Sequence, residues 1–546
     1  MKERTVWKSG VIGFLLLAIS CCAPYRIPET AGPGIQVVVS VDASETAGAL
    51  DHSWEKITGS GNASLYLREG WGERILTHLA DVHENLGVQM VRFHGVFGDM
   101  IGVYQGPGQY DFSRADRIYD GILATGVKPF IELSFMPEKL AAGKARGFPL
   151  GYRPFISPPK SYEEWGKLVL AFTRHLVERY GLEEVKTWDF EVWNEPNLSV
   201  FWSGNMADYF RLYDVSAKAI KSVSPELKVG GPATSQCAWI LEFLQHCRAA
   251  QVPVDFISTH GYYNDNLSRL LPQVKKAIPE AGKELSNQKF GDAVRLVDKI
   301  AVKTYPKPLP LLITEWNSST AYSYDLLLMP NDHDLPNDAA FMAKAVKEVS
   351  GYTAGFSHWT HSDVFEEWGL PGDHWPVKTA AYHGGFGLIT IDGIHKPSYQ
   401  AFAFLRKLGK DLMKTEMKTP NPEIDALATL EADKLAVIAW YYVDIINKHQ
   451  TGGPTASVTL ELKNLPVALL GKTLHGFRID QDHGNTFPEW LKMGRPGNLT
   501  PEQISRLKKI SDQTIVAAEL DRKIDGSHLT LELALPPAGV VFLITD

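Results

Sequence analysis

The stretch Thr187–Leu198, TWDFEVWNEPNL, decides the fold that we predict for this chain. Its first half is rich in aromatic and β-branched residues, a composition typical of a strand that is covered on both faces of a sheet. Asn194, Glu195 and Pro196 follow directly, and a proline cannot continue the hydrogen-bond ladder of a strand. The asparagine and the carboxylate are therefore predicted to lie where the strand ends. In a parallel α/β barrel, that end is where catalytic residues are placed.

A second stretch, Leu311–Ser318 (LLITEWNS), has the same organisation and lies about 120 residues later. An apolar run leads to Glu315, which is followed by Trp316 and Asn317. A single glutamate at a strand end is usually a solvated residue at the rim of a sheet. Two glutamates at the ends of two apolar strands can instead converge across a barrel mouth, at the ~5–5.5 Å carboxyl separation of a retaining glycosidase. The pair therefore predicts a two-carboxylate site.

Strands and helices alternate along the first 400 or so residues, which favours a parallel α/β fold. The predicted strands, in order, are Ile57–Gly61, Val88–His94, Lys128–Leu133, Thr187–Glu195, Leu227–Gly231, Phe256–His260, Pro310–Glu315 and Gly355–Asp363. Eight strands separated by helices over roughly 350 residues indicate a (β/α)8 TIM barrel with long loops. A helix over Pro397–Leu408 is predicted to close it.

A second domain is indicated after about residue 409, where the pattern changes to a period of two. Val458, Leu460 and Leu462 alternate with polar residues, which is typical of half-buried antiparallel strands. We predict a barrel over residues 54–409 and an accessory β-sandwich over residues 410–546, with a helical insert at Pro501–Asp512. Residues 35–53 are predicted to supply one or more strands that join the sandwich.

The first 22 residues are typical of a targeting segment, with a basic start and an apolar run of nine residues that is too short to span a membrane at about 20 residues per helix. Ala18-Ile19-Ser20-Cys21 resembles a bacterial lipoprotein cleavage box, which predicts a lipid on Cys21 and a linker over residues 23–34. The expected location is the bacterial cell envelope, on a membrane surface. A plain secretory signal, giving a secreted or periplasmic protein, is the alternative.

The formal net charge of −8 makes nucleic acid or an anionic membrane surface an unsuitable partner. Cys237 and Cys247 flank a predicted helix that would hold them about 15 Å apart, so they are expected to be unpaired unless Cys237 lies outside the helix. No His-x-x-x-His with a carboxylate partner and no Cys/His ligand spacing occurs, and no Gly-x-Ser-x-Gly motif follows a strand. Metal-dependent and serine-hydrolase chemistry are therefore not predicted.

Six motifs in order resemble glycoside hydrolase family 39, over roughly Trp54 to Leu408 and, more weakly, in the second domain. They are Val192–Leu198 with Phe201-Trp202, Thr314–Ser319, Val91–Gly95, Ser258–His260, Trp359–Glu367 and Gly384–Leu388. The resemblance implies Glu195 as general acid/base and Glu315 as nucleophile. It also implies that Asn194 binds the sugar 2-hydroxyl and that the protein needs no cofactor.

The resemblance further implies substrate-binding roles outside the carboxylate pair. His94 and His260 would bind other ring hydroxyls, although a histidine hydrogen-bonded in the core is the simpler interpretation. Asp363 or Glu366 could also bind sugar. Trp202, Tyr262 and Trp359 could form walls of the pocket, with core packing as the alternative.

The best-known activities of this family, β-xylosidase and α-L-iduronidase, differ in the charge of the sugar. An iduronidase must bind a carboxylate, for which an arginine fork is suited. No arginine occurs between Arg295 and Arg406, and Thr259–Tyr263 has no basic residue. A neutral sugar is therefore favoured and β-xylosidase comes first, ahead of arabinosidase, glucosidase or galactosidase. An inactive, lipid-anchored glycan-binding protein is the hypothesis from another class.

Overall fold

The structure is a computed structural model. It describes residues 34–147, 152–281, 290–320, 332–365, 381–419, 421–444, 452–513, 515–516 and 522–546. The predicted targeting segment, most of the linker, Cys21 and Glu366 lie outside these residues.

The strands in these ranges form a barrel, a large second sheet and a small hairpin. They are β1 (Ile35–Ala49), β2 (Ile57–Asn62), β3 (Met90–His94), β4 (Tyr104–Gly106), β5 (Gln109–Tyr110), β6 (Lys128–Leu133), β7 (Asp189–Val192), β8 (Lys228–Thr234), β9 (Phe256–His260), β10 (Leu311–Trp316), β11 (Gly355–His358), β12 (Asp411–Met417), β13 (Ile424–Glu431), β14 (Lys434–Tyr441), β15 (Ala456–Lys463), β16 (Leu474–Ile479), β17 (Ile515–Val516), β18 (Arg522–Asp525), β19 (His528–Leu535) and β20 (Val540–Thr545).

The helices mostly follow the barrel strands and cover the outside of the barrel. They are α1 (Trp71–Leu86), α2 (Ser113–Ala124), α3 (Tyr162–Tyr180), α4 (Leu182–Val185), α5 (Met206–Val223), α6 (Ile240–Ala250), α7 (Leu271–Ala277), α8 (Phe290–Thr304), α9 (Pro336–Val349), α10 (Pro397–Leu405), α11 (Val467–Leu470), α12 (Phe487–Lys492) and α13 (Pro501–Ser511). Among the described residues, no helix is long and apolar enough to cross a membrane.

Eight parallel strands close into a barrel in the order β10-β11-β2-β3-β6-β7-β8-β9. This is the predicted (β/α)8 architecture, and each predicted barrel strand has a counterpart. β7 is shorter than predicted, because Trp193 and Glu195 adopt positive φ angles of 71° and 43° and so leave the extended conformation. β11 likewise ends at His358 instead of Asp363.

Apolar side chains from five strands fill the lower part of the barrel interior. They are Ile57, Met90, Phe130, Phe256 and Leu312. Each lies in the first half of its strand, so this layer closes the N-terminal end of the barrel. The interior positions nearer the C-terminal ends are thereby available to polar groups.

The second domain is mostly sheet, as predicted, and its strands form one hydrogen-bonded sheet of ten in the order β17-β16-β20-β14-β13-β12-β1-β15-β19-β18. β1, from the start of the chain, lies parallel to β15 and antiparallel to β12. Alternate residues from strands across the sheet share a single apolar core.

The two faces of β14 belong to two different cores. Val437 and Ala439 point into the core of the second domain, whereas Ile438 and Trp440 join the large apolar cluster that includes the barrel helices. Because side chains alternate along a strand, β14 connects the two domains. The domains therefore share continuous apolar packing.

Cys237 and Cys247 are both buried and both free. Cys237 lies outside α6, which begins at Ile240. This is the exception that the sequence analysis allowed for when it predicted that the two cysteines are unpaired.

Candidate active site

Glu195 and Glu315 meet at the C-terminal end of the barrel. Glu195 lies three residues beyond β7, and Glu315 is the penultimate residue of β10. Both are buried, and one carboxylate oxygen of each lies within 4.8 Å of the other and of a ring nitrogen of His260. The structure thus brings together the two carboxylates that the sequence singled out.

The loop that carries Glu195 is fixed by bonds to the end of β8 and to the residue that follows it. The backbone N–H of Glu195 donates to the carbonyl of Ala233 at 2.8 Å. Asn197 accepts from the backbone N–H of Ser235 at 2.8 Å and donates to its carbonyl at 3.1 Å. These bonds hold Glu195 at its positive φ of 43°, a conformation that is costly for a residue with a Cβ and is concentrated at functional sites.

Arg92, at the centre of β3, organises the polar interior above the apolar layer. Its fully buried guanidinium donates from Nε to Glu191 Oε2 at 2.6 Å, from Nη1 to Glu315 Oε1 at 2.7 Å and from Nη2 to Asn194 Oδ1 at 2.9 Å. Nη2 also lies 2.8 Å from Glu132 Oε2. A planar guanidinium with several donors in fixed directions can orient several acceptors at once. Arg92 therefore fixes the orientation of Glu315 and of Asn194.

The partner carboxylates of Arg92 are themselves held by other side chains. Glu132 Oε2 accepts from Nδ1 of His94 at 2.7 Å, and Glu132 also accepts a short hydrogen bond from the Ser134 hydroxyl. Glu191 Oε1 accepts from the Thr314 hydroxyl at 2.8 Å. Buried charges are tolerated when they are paired and fully hydrogen-bonded. This network is therefore a rigid polar floor beneath the two glutamates.

Two predicted residues on or after β9 contact the carboxylate pair. Nδ1 of His260 lies 3.0 Å from Glu195 Oε1 and 3.5 Å from Glu315 Oε2. The hydroxyl of Tyr262 donates to Glu315 Oε2 at 3.1 Å. Nε2 of His94 faces Glu315 Oε1 at 3.7 Å. His94, His260 and Tyr262 thus surround the oxygens of Glu315.

Burial raises the pKa of Glu195 to about 7, and the hydroxyl of Ser235 and the charge of Arg92 offset only part of that effect. Burial also raises the pKa of Glu315, with the ring of His260 and the guanidinium of Arg92 acting against it. Two carboxylates this close do not both ionise readily. Because Glu315 forms the ion pair with Arg92, we assign the charge to Glu315 and the proton to Glu195.

Burial lowers the pKa of His260 to about 4. The ring is therefore neutral near pH 7, when it can share a hydrogen bond with the protonated carboxyl of Glu195.

Trp359 lies against this site and Trp202 does not. The ring of Trp359 is 4.8 Å from that of His94, and the guanidinium of Arg92 lies 5.9 Å from its centroid. Trp202 instead packs edge-on against Trp193 at 4.9 Å, and its indole N–H donates to the carbonyl of Asn205. It therefore packs within the loop that follows β7.

Asp363 has partners other than the carboxylate pair. Its Oδ2 lies 2.6 Å from Nζ of the buried Lys396, and its Oδ1 accepts from the backbone N–H of Gly387. Its role in sugar binding remains a prediction, as does that of Glu366, which lies outside the described residues.

Sequence reasoning assigned no role to Arg92, Glu132 and Glu191, although all three are central to the site. The available signal was a charged residue in the middle or second half of each of three mainly apolar strands, in the stretches RFH, FIEL and DFEV. A charge that points into a barrel must have a partner there. Three such positions on neighbouring strands indicate a network.

Glu195, His260 and Glu315 also form the one cluster of metal-type donor atoms found among the described residues. The fit to a cation is poor, because both oxygens of Glu315 already accept hydrogen bonds from Arg92 and Tyr262. The donor set suits acid–base chemistry between two carboxyl groups better than it suits metal coordination.

Comparisons with known proteins agree with this geometry. The family model "Glycosyl hydrolases family 39" matches residues 37–527. The β-xylosidase of Caldicellulosiruptor saccharolyticus is 37 % identical, over 92 % of this chain and 97 % of that protein. The β-xylosidase of Geobacillus stearothermophilus is 35 % identical, over 88 % of this chain and 90 % of that protein. The solved structure of a family 39 β-xylosidase from Caulobacter crescentus has a TM-score of 0.72 at 31 % identity, over 93 % of this chain and 99 % of that one. The matched family spans both domains, and the chain belongs to glycoside hydrolase family 39.

Proposed function

We propose that this glycoside hydrolase is a retaining exo-β-xylosidase, with Glu195 as general acid/base and Glu315 as nucleophile. The observation that carries the proposal is the short distance between the two carboxylates, whose nearest oxygens lie within 4.8 Å. Retaining enzymes place their carboxyl groups ~5–5.5 Å apart, whereas inverting enzymes need ~6.5–9.5 Å to admit a water.

The partners of the two glutamates support the division of roles. Both oxygens of Glu315 accept hydrogen bonds, from Arg92 and from Tyr262, which hold it as an oriented anion for attack on the anomeric carbon. Glu195, with its pKa raised to about 7, can protonate the leaving oxygen. When Glu315 becomes a glycosyl ester its charge disappears. The pKa of Glu195 then falls, so that it can take a proton from the attacking water.

In this proposal Asn194 binds the sugar 2-hydroxyl. Its Oδ1 accepts from Arg92, which directs the amide Nδ2 away from the guanidinium. A donor to the 2-hydroxyl strengthens its bond as positive charge develops on the ring in the transition state.

A neutral glycone is supported by the way the described arginines near the site are engaged. The guanidinium of Arg92 is occupied by three carboxylates and Asn194, Arg269 donates to Gln236 Oε1 at 2.9 Å, and the sequence has no arginine between Arg295 and Arg406. A uronic acid would meet a pocket floor that already contains carboxylates, and like charges repel. The relatives at 37 % and 35 % identity are named β-xylosidases.

The test is a panel of aryl glycosides: β-D-xyloside, α-L-arabinosides, β-D-glucoside, β-D-galactoside and α-L-iduronide. We expect the highest kcat/KM with the xyloside, no turnover of the iduronide, and β-xylose as the first product anomer by NMR. A higher kcat/KM with another neutral glycoside would assign that sugar instead. An α-anomer as first product would contradict the retaining assignment. Inactivity towards the whole panel would favour the glycan-binding alternative.

We also propose that Cys21 carries lipid and places the enzyme on a membrane surface of the bacterial envelope. The proposal is supported by the basic start, the apolar run and the Ala-Ile-Ser-Cys box. Metabolic labelling with a fatty-acid analogue in a bacterial host should label the wild-type chain and leave Cys21→Ser unlabelled. Cys22→Ser is the matched control and should label normally. If Cys21→Ser is processed and fractionates like the wild type, the protein is secreted by a plain signal.

A further inference from the structure

A buried cluster of three charged side chains lies outside the carboxylate pair. Nζ of Lys396 is 2.6 Å from Asp334 Oδ1 and 2.6 Å from Asp363 Oδ2, and it donates to the carbonyl of Gly385 at 2.9 Å. All three charged side chains have 0 % relative exposure. Burial opposes the charge of Lys396, but the two carboxylates outweigh it and raise its pKa. We name Lys396, Asp334 and Asp363 the Lys396 cluster.

The Lys396 cluster holds residues 384–388 (GGFGL), the last motif that the sequence singled out. The backbone N–H of Gly384 donates to Asp334 Oδ2 at 3.0 Å, and that of Gly387 donates to Asp363 Oδ1 at 2.8 Å. A Cβ on Gly385 would lie 2.3 Å from Asp363 Oδ1, which is sterically forbidden. The glycines therefore allow the carboxylates to reach the backbone of this segment.

Phe386, in the middle of residues 384–388, packs against aromatic rings near the carboxylate pair. Phe386 shares an apolar cluster with Tyr262, Trp359 and Phe365, at 6.4 Å from the ring of Tyr262 and 5.8 Å from that of Phe365. Its carbonyl accepts from the backbone N–H of Thr360, next to Trp359, at 3.1 Å. Tyr262 in turn bonds to Glu315, and Trp359 contacts His94. The segment therefore packs against the two aromatic residues that contact Glu315 and His94.

A fully buried ion cluster is weak evidence for stability, since apolar residues of similar volume often serve as well. Its directed bonds do something that apolar packing cannot: they fix the backbone of one segment at Gly384, Gly385 and Gly387. We propose that the Lys396 cluster positions Phe386, and through it Tyr262 and Trp359, so that the sugar-binding wall is formed before substrate arrives. Lys396, Asp334 and Asp363 are positioning residues in this proposal, because they act on the site through the segment that they hold.

The test compares Lys396→Met, Asp334→Asn and Phe386→Leu with the wild type, using whichever glycoside the wild type hydrolyses. The inference rests on the proposed glycosidase function, but a different preferred sugar would alter only that proposal. We expect KM to rise at least fivefold in each variant, and more than kcat falls, because a disordered wall weakens binding of the sugar. Lys221→Met is the matched control, since Lys221 pairs with Asp255 at 2.8 Å between α5 and the start of β9, at the opposite end of the barrel. It should lower the melting temperature and leave KM unchanged.

Variants that melt at lower temperature but keep the wild-type KM would overturn the inference, since the cluster would then be structural only. A loss of kcat with KM unchanged would also overturn it. If Lys396→Met does not fold, Asp334→Asn and Phe386→Leu decide the question: a KM within twofold of the wild type in both would contradict positioning.

Discussion

At the scale of single residues, the guanidinium of Arg92 contacts Glu315, Glu191, Glu132 and Asn194, whereas Glu195 is bonded to the ring of His260. Two identical side chains therefore acquire different chemistry from their partners. From these partners we assign the charge to Glu315, beside the guanidinium, and the proton to Glu195.

This asymmetry predicts that the two glutamates fail in different ways. Glu315→Ala removes the nucleophile, so hydrolysis of every substrate should be lost. Glu195→Ala keeps the nucleophile, so an activated dinitrophenyl xyloside should still release its leaving group and accumulate a covalent intermediate. Azide should restore turnover of Glu195→Ala with a β-glycosyl azide as product, because a second displacement restores the configuration. Any azide product of Glu315→Ala should be the α-anomer. If Glu195→Ala cleaves no substrate at all, including activated ones, the roles are mistaken.

The raised pKa of Glu195 predicts the alkaline limit of activity. Glu195 must be protonated to act as the acid, so kcat/KM for a xyloside with a poor leaving group should fall above pH about 7, the pKa of this carboxyl. The decline approaches about tenfold per pH unit once a single required proton is lost. A dinitrophenyl xyloside serves as the control, since its departure needs no proton and its kcat/KM should stay flat through this range. If kcat/KM falls equally at alkaline pH for both substrates, the fall reports the ionisation of a group other than Glu195.

At the scale of elements, close packing between strands shapes the pocket from behind. Gly59 in β2 lies against Trp359, and a Cβ at this position would be 2.3 Å from the indole ring. Gly59→Ala should therefore displace Trp359, lower kcat/KM at least tenfold and cost about 1–3 kcal/mol of stability through overpacking. Gly471→Ala is the matched control, because no heavy atom lies within 4 Å of the position that its Cβ would take. Steady-state kinetics and thermal denaturation check both variants, and wild-type kinetics in Gly59→Ala would contradict the proposed pocket wall.

The elements that the sequence predicted best are those with a local signal. The strand ends at Glu195 and Glu315 were predictable, because an apolar run followed by Asn-Glu-Pro or Glu-Trp-Asn is visible within ten residues. The network of Arg92 with Glu132 and Glu191 was not predicted, since it depends on how three strands align in the closed barrel. The sequence predicts that Asp363 binds sugar; its pairing with Lys396, 33 positions later, is a long-range contact that no local pattern indicates.

At the scale of the whole molecule, the second domain contacts the loop that carries part of the site. The hydroxyl of Tyr263 donates to Asp444 Oδ2, just beyond β14, at 3.3 Å, while its backbone N–H donates to the carbonyl of Asn317 after β10. Tyr263 directly follows Tyr262, which bonds to Glu315. The second domain therefore contacts the residue next to Tyr262, and Tyr262 is a hydrogen-bond partner of the proposed nucleophile, Glu315.

This shared packing predicts that barrel and sheet unfold together. Asn337 at the start of α9 bonds both backbone groups of Val443, donating to its carbonyl at 2.9 Å and accepting from its N–H at 3.0 Å. Both residues are buried, so Asn337→Ala would leave two polar groups unsatisfied, at about 1–3 kcal/mol each. Calorimetry should give one transition for the wild type and one at lower temperature for Asn337→Ala.

Asn85→Ala is the control: it removes a bond to Asp81 on the exposed face of α1 and should change stability by less than about 0.5 kcal/mol. Two separate transitions in the wild type would mean that the faces of β14 do not couple the domains. An unchanged melting temperature in Asn337→Ala would mean that its bonds contribute nothing to that coupling.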